Sequence, residues 1–335
     1  MHTSPKRPIR IATIGGGSGQ FALLAGLRSL KEVGITAIVS MVDSGGSTGR
    51  LRDELGILPP GDILKCILAL SPHRDLMRGL FLKRFKNDRR LQGHTAGNML
   101  LTMLSRYTGS FPAGVNALSE ILDVKGTVLP VTVDRATLVA ELTDGSRIFG
   151  EEAIDMPRGT QRERIKTVYL VPHHAEGISV YPPVLNAIEA ADFIVIGPGD
   201  LFTSIIPNLI VPQVKEAIQT AKGKTIFAVN IMTKFGETHA FSGKDFVKQL
   251  EDILERPFDV ILHNSNKPSS DILAAYQNQK AVFVGIDHSD DFWKHRHLIS
   301  ADLLDTGGGV VRHDSRKLAR LIQQIIHEPV ARSER

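Results

Sequence analysis

Short runs in which nearly every position is apolar, and many are β-branched, recur along the chain. They are "IRIATI", "ITAIVSMV", "TVYLV", "DFIVIG", "KTIFAVNI", "FDVILHN" and "AVFVGI". Strands of this kind are covered on both faces, because a strand with one wet face alternates apolar and polar positions. Between them lie stretches with apolar residues three and four apart, such as "FALLAGLRSLKEVG", "HTAGNMLLTMLSRY", "VPQVKEAIQTAKG", "KDFVKQLEDILE" and "SRKLARLIQQII". That spacing marks amphipathic helices. The alternation predicts an α/β fold, a Rossmann-like, doubly wound and mostly parallel sheet.

Two regions break the rhythm. Residues 61–123 hold several helical stretches without a clear strand, which predicts a helical cap over one end of the sheet. Residues 127–160 alternate in the β manner, and "TDGS" carries the Asp-Gly of a hairpin turn, which predicts a small antiparallel β insertion. No repeat or long linker appears, so residues 8–328 are expected to form a single domain, with 1–7 and 329–335 as tails. The start, basic and soon broken by glycines, reads as a tail leading into the first strand and not as a signal peptide.

Composition narrows this picture only slightly. Of 335 residues 42% are hydrophobic, enough for a full core, and the net charge of +4 comes from interleaved signs. The balance argues weakly for anionic ligands and against a nucleic-acid partner. No apolar stretch approaches the roughly 20 residues that cross a bilayer, so no membrane insertion is expected. Cys66 is the single cysteine; no intrachain disulfide can form, and a reducing compartment fits best. Its helical, apolar surroundings suit a small buried hydrophobe. The mixed-sign tract "RIFGEEAIDMPRGTQRERIK" reads as a solvated face.

Chemistry is concentrated where strands end. Gly15, Gly16, Gly17, Ser18 and Gly19 follow the first strand and open the first helix, where free amides and the helix dipole favour a phosphate. Gln20 stands where a dinucleotide fingerprint would have its third glycine. The second strand ends at Asp43, followed by Gly45, Gly46, Ser47, Arg50 and Arg52 in "DSGGSTGRLRDELGILPPGD". Asp43 could accept ribose hydroxyls or hold a divalent cation, the arginines could meet phosphates, and Asp62 could act in the first turn of the next helix. A solvated loop of internal ion pairs is the competing reading. In "QGHTAGNML", His94 and Asn98 stand one helical turn apart.

Further along, "GPGDLFTS" follows a very apolar strand, making Gly197, Gly199, Asp200, Thr203 and Ser204 candidate ligand contacts. Asn230, Thr233 and Glu237 follow the next strand, and His263, Asn264 and Asn266 the one after. Ligands of open α/β sheets bind outside the carboxyl ends of strands, so these polar ends point to one site. Arg312 could reach a diphosphate, and Asp314 suits a helix cap. Tyr276 could stack on a base or simply pack. No zinc motif, nucleophile elbow or Walker loop is present.

Taken together, "GGGSG", "DSGGSTGRLRDELGILPPGD", "GHTAGN", "GPGDLFTS", "PNLIVP", "NIMTKFGET" and "VVRHD" resemble the YvcK group of the CofD-like superfamily, from about Ile9 to Ile326. The resemblance implies a cytoplasmic, nucleotide-binding α/β protein that takes UDP-sugars, notably UDP-N-acetylglucosamine. It also implies a link to gluconeogenic growth, cell-wall supply and cell shape, with no cofactor required. The sister branch, 2-phospho-lactate transferase, uses magnesium and a guanosine nucleotide donor. YvcK-type loops commonly read Asp-Asp-Gly-Gly, whereas here Ser44 follows Asp43, which counts against a tightly held metal. A regulatory binding protein is therefore expected first and a magnesium-dependent transferase, with Asp43 and Asp62 as candidate ligands, second. A nicotinamide-dependent oxidoreductase comes last. Self-association into a homo-oligomer and a regulatory protein partner stay open.

Overall fold

The computed structural model describes residues 7–45, 48–51, 56–86, 91–159, 161–174 and 177–328. In chain order the strands are β1 (Ile9–Gly15), β2 (Val33–Val39), β3 (Thr127–Pro130), β4 (Ala136–Leu142), β5 (Arg147–Phe149), β6 (Ile165–Pro172), β7 (Phe193–Ile196), β8 (Lys224–Ala228), β9 (Val260–Asn264), β10 (Leu298–Ala301), β11 (Leu304–Asp305) and β12 (Arg312–His313). Seven of them form one sheet in the order β10-β9-β8-β7-β1-β2-β3, and every neighbouring pair in it is parallel. The expected doubly wound α/β architecture is what the chain adopts.

The apolar runs explain the order of burial. Ile14, Ile38, Ile194, Ile196, Ile226 and Ile261 are completely buried in the middle strands, each removing about 1.5–3 kcal/mol worth of apolar surface from water. Helix Gly17–Leu27 runs from β1 toward β2, with Leu23, Leu24 and Leu27 buried. Gln20 lies against the sheet and donates to Thr13 Oγ1 at 3.2 Å and to the Ile38 carbonyl at 3.1 Å. It ties β1 to β2 where a third glycine would have left no bond. Cys66 is buried and donates to Gln20 Oε1, and burial pushes its thiol pKa up.

Four expectations need correcting. "TVLPVTV" does not open the insertion: β3 pairs in parallel with β2 as the sheet's edge strand. The antiparallel insertion is instead β5-β4-β6, so it reaches beyond 127–160 and takes in "TVYLV", which is not a strand of the main sheet. Its Asp-Gly turn is present, with Gly145 at φ +84°. "AVFVGI" forms no strand, only a bridge between Met232 and Phe283, because β10 takes the place beside β9. Helix Gly61–Leu70, counted in the cap, is almost wholly buried and packs on helix Gly17–Leu27 and on β2 and β3. It is a crossover helix of the sheet.

Candidate functional site

The strand order reverses between β1 and β7, and there the chain leaves both strands through glycine turns. Gly17, at φ +63°, takes the left-handed conformation that glycine adopts without strain. The turn after β7 presses on the first so closely that a methyl at Gly19 would stand 2.3 Å from the Pro198 carbonyl oxygen. The amide of Gly17 is already filled: it donates to Asp62 Oδ2 at 2.9 Å. Asp62 in turn pairs with Lys65 at 2.8 Å, and this carboxylate holds the lysine's pKa above its usual value. Of the first-turn amides expected to meet a ligand, those of Ser18 and Gly19 are the ones left without an intrahelical partner.

A cavity of about 560 Å³ opens over these turns, within the range of small-molecule sites. Gly16–Gly19, Gly199, Asp200 and Ser204 form one wall. The chain beyond β8 forms the floor with Asn230, Thr233 and Lys234. Asn230 Oδ1 is buried and accepts no hydrogen bond from the described residues. Thr233 has its hydroxyl committed, accepting the Val282 amide at 2.9 Å. Tyr276 and Gln279 stand opposite, and Arg312 and His313 complete the rim from β12. Burial pulls the His313 imidazole down to about 4, so it is neutral at physiological pH.

Lys234 sits among three carboxylates. Its ammonium is hydrogen-bonded to Asp155, 2.9 Å from Asp200 and 3.4 Å from Glu237. Burial works against this charge, but Asp200, Glu237 and Asp155 outweigh it and keep the lysine charged. Glu237 accepts from Thr203 Oγ1 at 3.2 Å and from the Phe202 amide, and burial followed by Asp200 raises it to about 8. The three carboxylates lie within 4.8 Å of one another, a spacing that a cation could bridge, and the lysine takes that role.

A second cavity, of about 510 Å³, adjoins the first, with Met156 lining both. It holds Asp43, Gly45, Thr48, Asn98 and Lys65, with Glu151 and Asp155 from the insertion. Asp43 accepts the Gly45 amide at 3.0 Å; burial and then Asp62 raise it to about 6. Glu151 is raised to about 8 by burial, Asp43 and Asp155. One chamber is thus lined by backbone turns with Lys234, Arg312 and Asp200, and the other by Asp43, Glu151, Glu152 and Asp155 with Lys65 and Arg84, where Glu151 holds its proton through neutrality.

The family model described as 2-phospho-L-lactate transferase CofD matches residues 11–304. The chain belongs to the CofD family. Within it, the chain is 39% identical to the gluconeogenesis factor of Bacillus subtilis, over 95% of this chain and 98% of that one. It is 36% identical to the gluconeogenesis factor of Listeria monocytogenes, over 92% and 93% of the two chains. A crystal structure of a UPF0052 family protein from Bacillus halodurans superposes with a TM-score of 0.87 at 36% identity, covering 94% of this chain and 99% of that one.

Within this CofD-family frame, the cavity over the glycine turns gathers Gly16, Gly17, Ser18, Gly19, Gly199, Asp200, Ser204, Asn230, Thr233, Tyr276 and Arg312. Asp43, Gly45 and Asn98 line its neighbour, and Asp62 lies between the two, accepting from the Gly17 amide of the first and from Lys65 of the second. Others lie in neither lining. Arg50 donates to the Gln92 carbonyl at 2.5 Å. Asn264 holds the Leu303 amide at 2.9 Å, and Thr203 holds Glu237. Gly15 ends β1, and Gly197 turns at φ +69°. Gly46, Ser47 and Arg52 lie outside the described residues. The "RIFGEEAIDMP" tract is not a plain solvated face, since Glu151, Asp155 and Met156 line the cavities. Its only sequence signal was acids beside an apolar residue in a tract of mixed sign. Lys234 was within a quoted motif, and nothing in its spacing set it apart.

Proposed function

We propose that this chain is a nucleotide-sugar-binding regulatory protein, taking UDP-N-acetylglucosamine or a close relative and serving gluconeogenic growth, cell-wall supply and cell shape in the cytoplasm. The observation that carries the reading is the convergence of both glycine turns, Asn230, Tyr276 and Arg312 on one cavity of about 560 Å³. Ser18 and Gly19 amides with the Arg312 guanidinium suit a diphosphate. The unpartnered Asn230 oxygen suits a donor on base or sugar, and the Tyr276 ring suits a uracil face. Binding of this kind needs charge and orientation, and no activated nucleophile.

The second reading is a magnesium-dependent phospho-lactate-type transferase using a guanosine nucleotide. The adjoining acids favour it, since Asp43 at about 6 and Glu151 at about 8 could exchange protons with a substrate. Lys65 paired with Asp62 and Lys234 among Asp155, Asp200 and Glu237 favour the first reading, because a lysine charge already stands beside the carboxylates that a divalent cation would bridge. Calorimetry with UDP-N-acetylglucosamine, GDP, GTP and NAD, each with and without magnesium, separates the readings. UDP-N-acetylglucosamine binding without magnesium is expected; binding of a guanosine nucleotide alone, and only with the metal, overturns the proposal in favour of the transferase.

A further inference from the structure

Two lightly embedded elements flank one side of the cavity. Helix Ser270–Asn278, which carries Tyr276, has no fully buried residue. The hairpin of β11 and β12 is only two paired residues long, Leu304 with His313 and Asp305 with Arg312. Its exposed tip contains three glycines, of which Gly308 and Gly309 have φ of +69° and +74°. The base of the hairpin is well held, with Leu303 on Asn264 at 2.9 Å and Asp314 on the Leu303 carbonyl. Toward the tip, a side chain from the other element holds it: the Val311 amide donates to the Tyr276 hydroxyl oxygen at 2.9 Å.

We propose that the Tyr276 hydroxyl is a positioning group for Arg312: by fixing the backbone of Val311, it sets the next residue's guanidinium at the cavity rim before ligand arrives. This rests on the reading that the cavity takes a nucleotide-sugar. Arg312 is exposed and no hydrogen bond between its side chain and another described side chain competes for it, so its direction depends on its backbone. Arg312 pairs with Asp305, but that ladder is two residues long and ends in a tip of three glycines, so without the Tyr276 bond this backbone would sample more conformations, and ordering it would cost affinity at each binding event. Tyr276 would then serve the ligand twice, by its ring face and by an atom that never touches the ligand. Phenylalanine in its place keeps the first contribution and deletes the second.

The test uses the full chain as Tyr276→Phe, Arg312→Ala and the double variant, with UDP-N-acetylglucosamine as the calorimetric probe. Tyr276→Phe is expected to weaken binding about tenfold, in keeping with one hydrogen bond. In the Arg312→Ala background the same change is expected to have an effect smaller than twofold, because the hydroxyl acts through the arginine. Ligand-free hydrogen exchange at Val311 and Arg312 should accelerate in Tyr276→Phe by at least tenfold. Additive losses, wild-type affinity in Tyr276→Phe, or unchanged exchange at these amides each overturn the positioning role. Absence of probe binding to the wild-type chain overturns the function proposed above instead, and the exchange measurement then decides the latch alone.

Discussion

Glu151 keeps its proton through neutrality because it is buried beside Asp43 and Asp155. The consequence for stability follows from linkage. Its pKa is about 8 in the folded chain against an ordinary 4.5, so between those values the folded state holds a proton that the unfolded state has lost. Stability from this group is therefore full below the unfolded value and declines as pH rises toward 8. Glu151→Gln, which stays neutral, should be more stable than the wild type at pH 8.5 by about 2 kcal/mol after allowing for partial exposure, and nearly equal at pH 4.5. Urea titrations at the two pH values check this; parallel behaviour of both chains contradicts it. Such residues were the least legible in the sequence. Glu151 and Asp43 lie far apart along the chain, and their protonation depends on an enclosure that only the fold creates. Asp314, by contrast, could be read as a helix cap at once, since it accepts from Arg316 and Lys317 two and three residues on.

Elements were legible where their signal is local. A fully apolar run followed by glycines predicts a strand and the turn beyond it, and β1 and β7 both obey. The contact between the two turns involves residues about 180 apart, so neither turn's sequence announces it. Gly19 looked like a place for a ligand's approach; in the fold it is also where one backbone meets another. Gly19→Ala should cost about 1–3 kcal/mol through overpacking, since the Pro198 carbonyl cannot retreat without moving the second turn, and it should also weaken UDP-N-acetylglucosamine binding. Chemical denaturation and calorimetry on the same variant check both; wild-type stability would mean that the turns are looser than their spacing implies. "AVFVGI" and "TVYLV" were misplaced for a physical reason. An apolar, β-branched run does not say which sheet it joins, and these two are only half covered: Val168 and Val284 are buried, while Val171 and Val282 are 40% and 47% exposed.

For the whole molecule, the reversal of strand order gathers ends that the sequence scatters from Gly15 to Arg312. Among the described residues lining this cavity, Arg312 is the more exposed of two cations, the other being Lys234, and Arg312→Ala should weaken nucleotide-sugar binding by roughly 1.5–3 kcal/mol, the worth of a charged hydrogen bond. Exposed charges are screened by salt, so wild-type affinity should fall between 50 mM and 500 mM salt and that dependence should flatten in the variant. Equal slopes in the two chains would assign the salt effect elsewhere. Lys234 leads to the opposite expectation. Enclosed by Asp155, Asp200 and Glu237, it fastens the insertion to the end of β8 and gives the acidic rim a covalently tethered counter-ion. Part of the rim's negative charge is then offset by the chain itself, so added salt should act on this corner less than on Arg312.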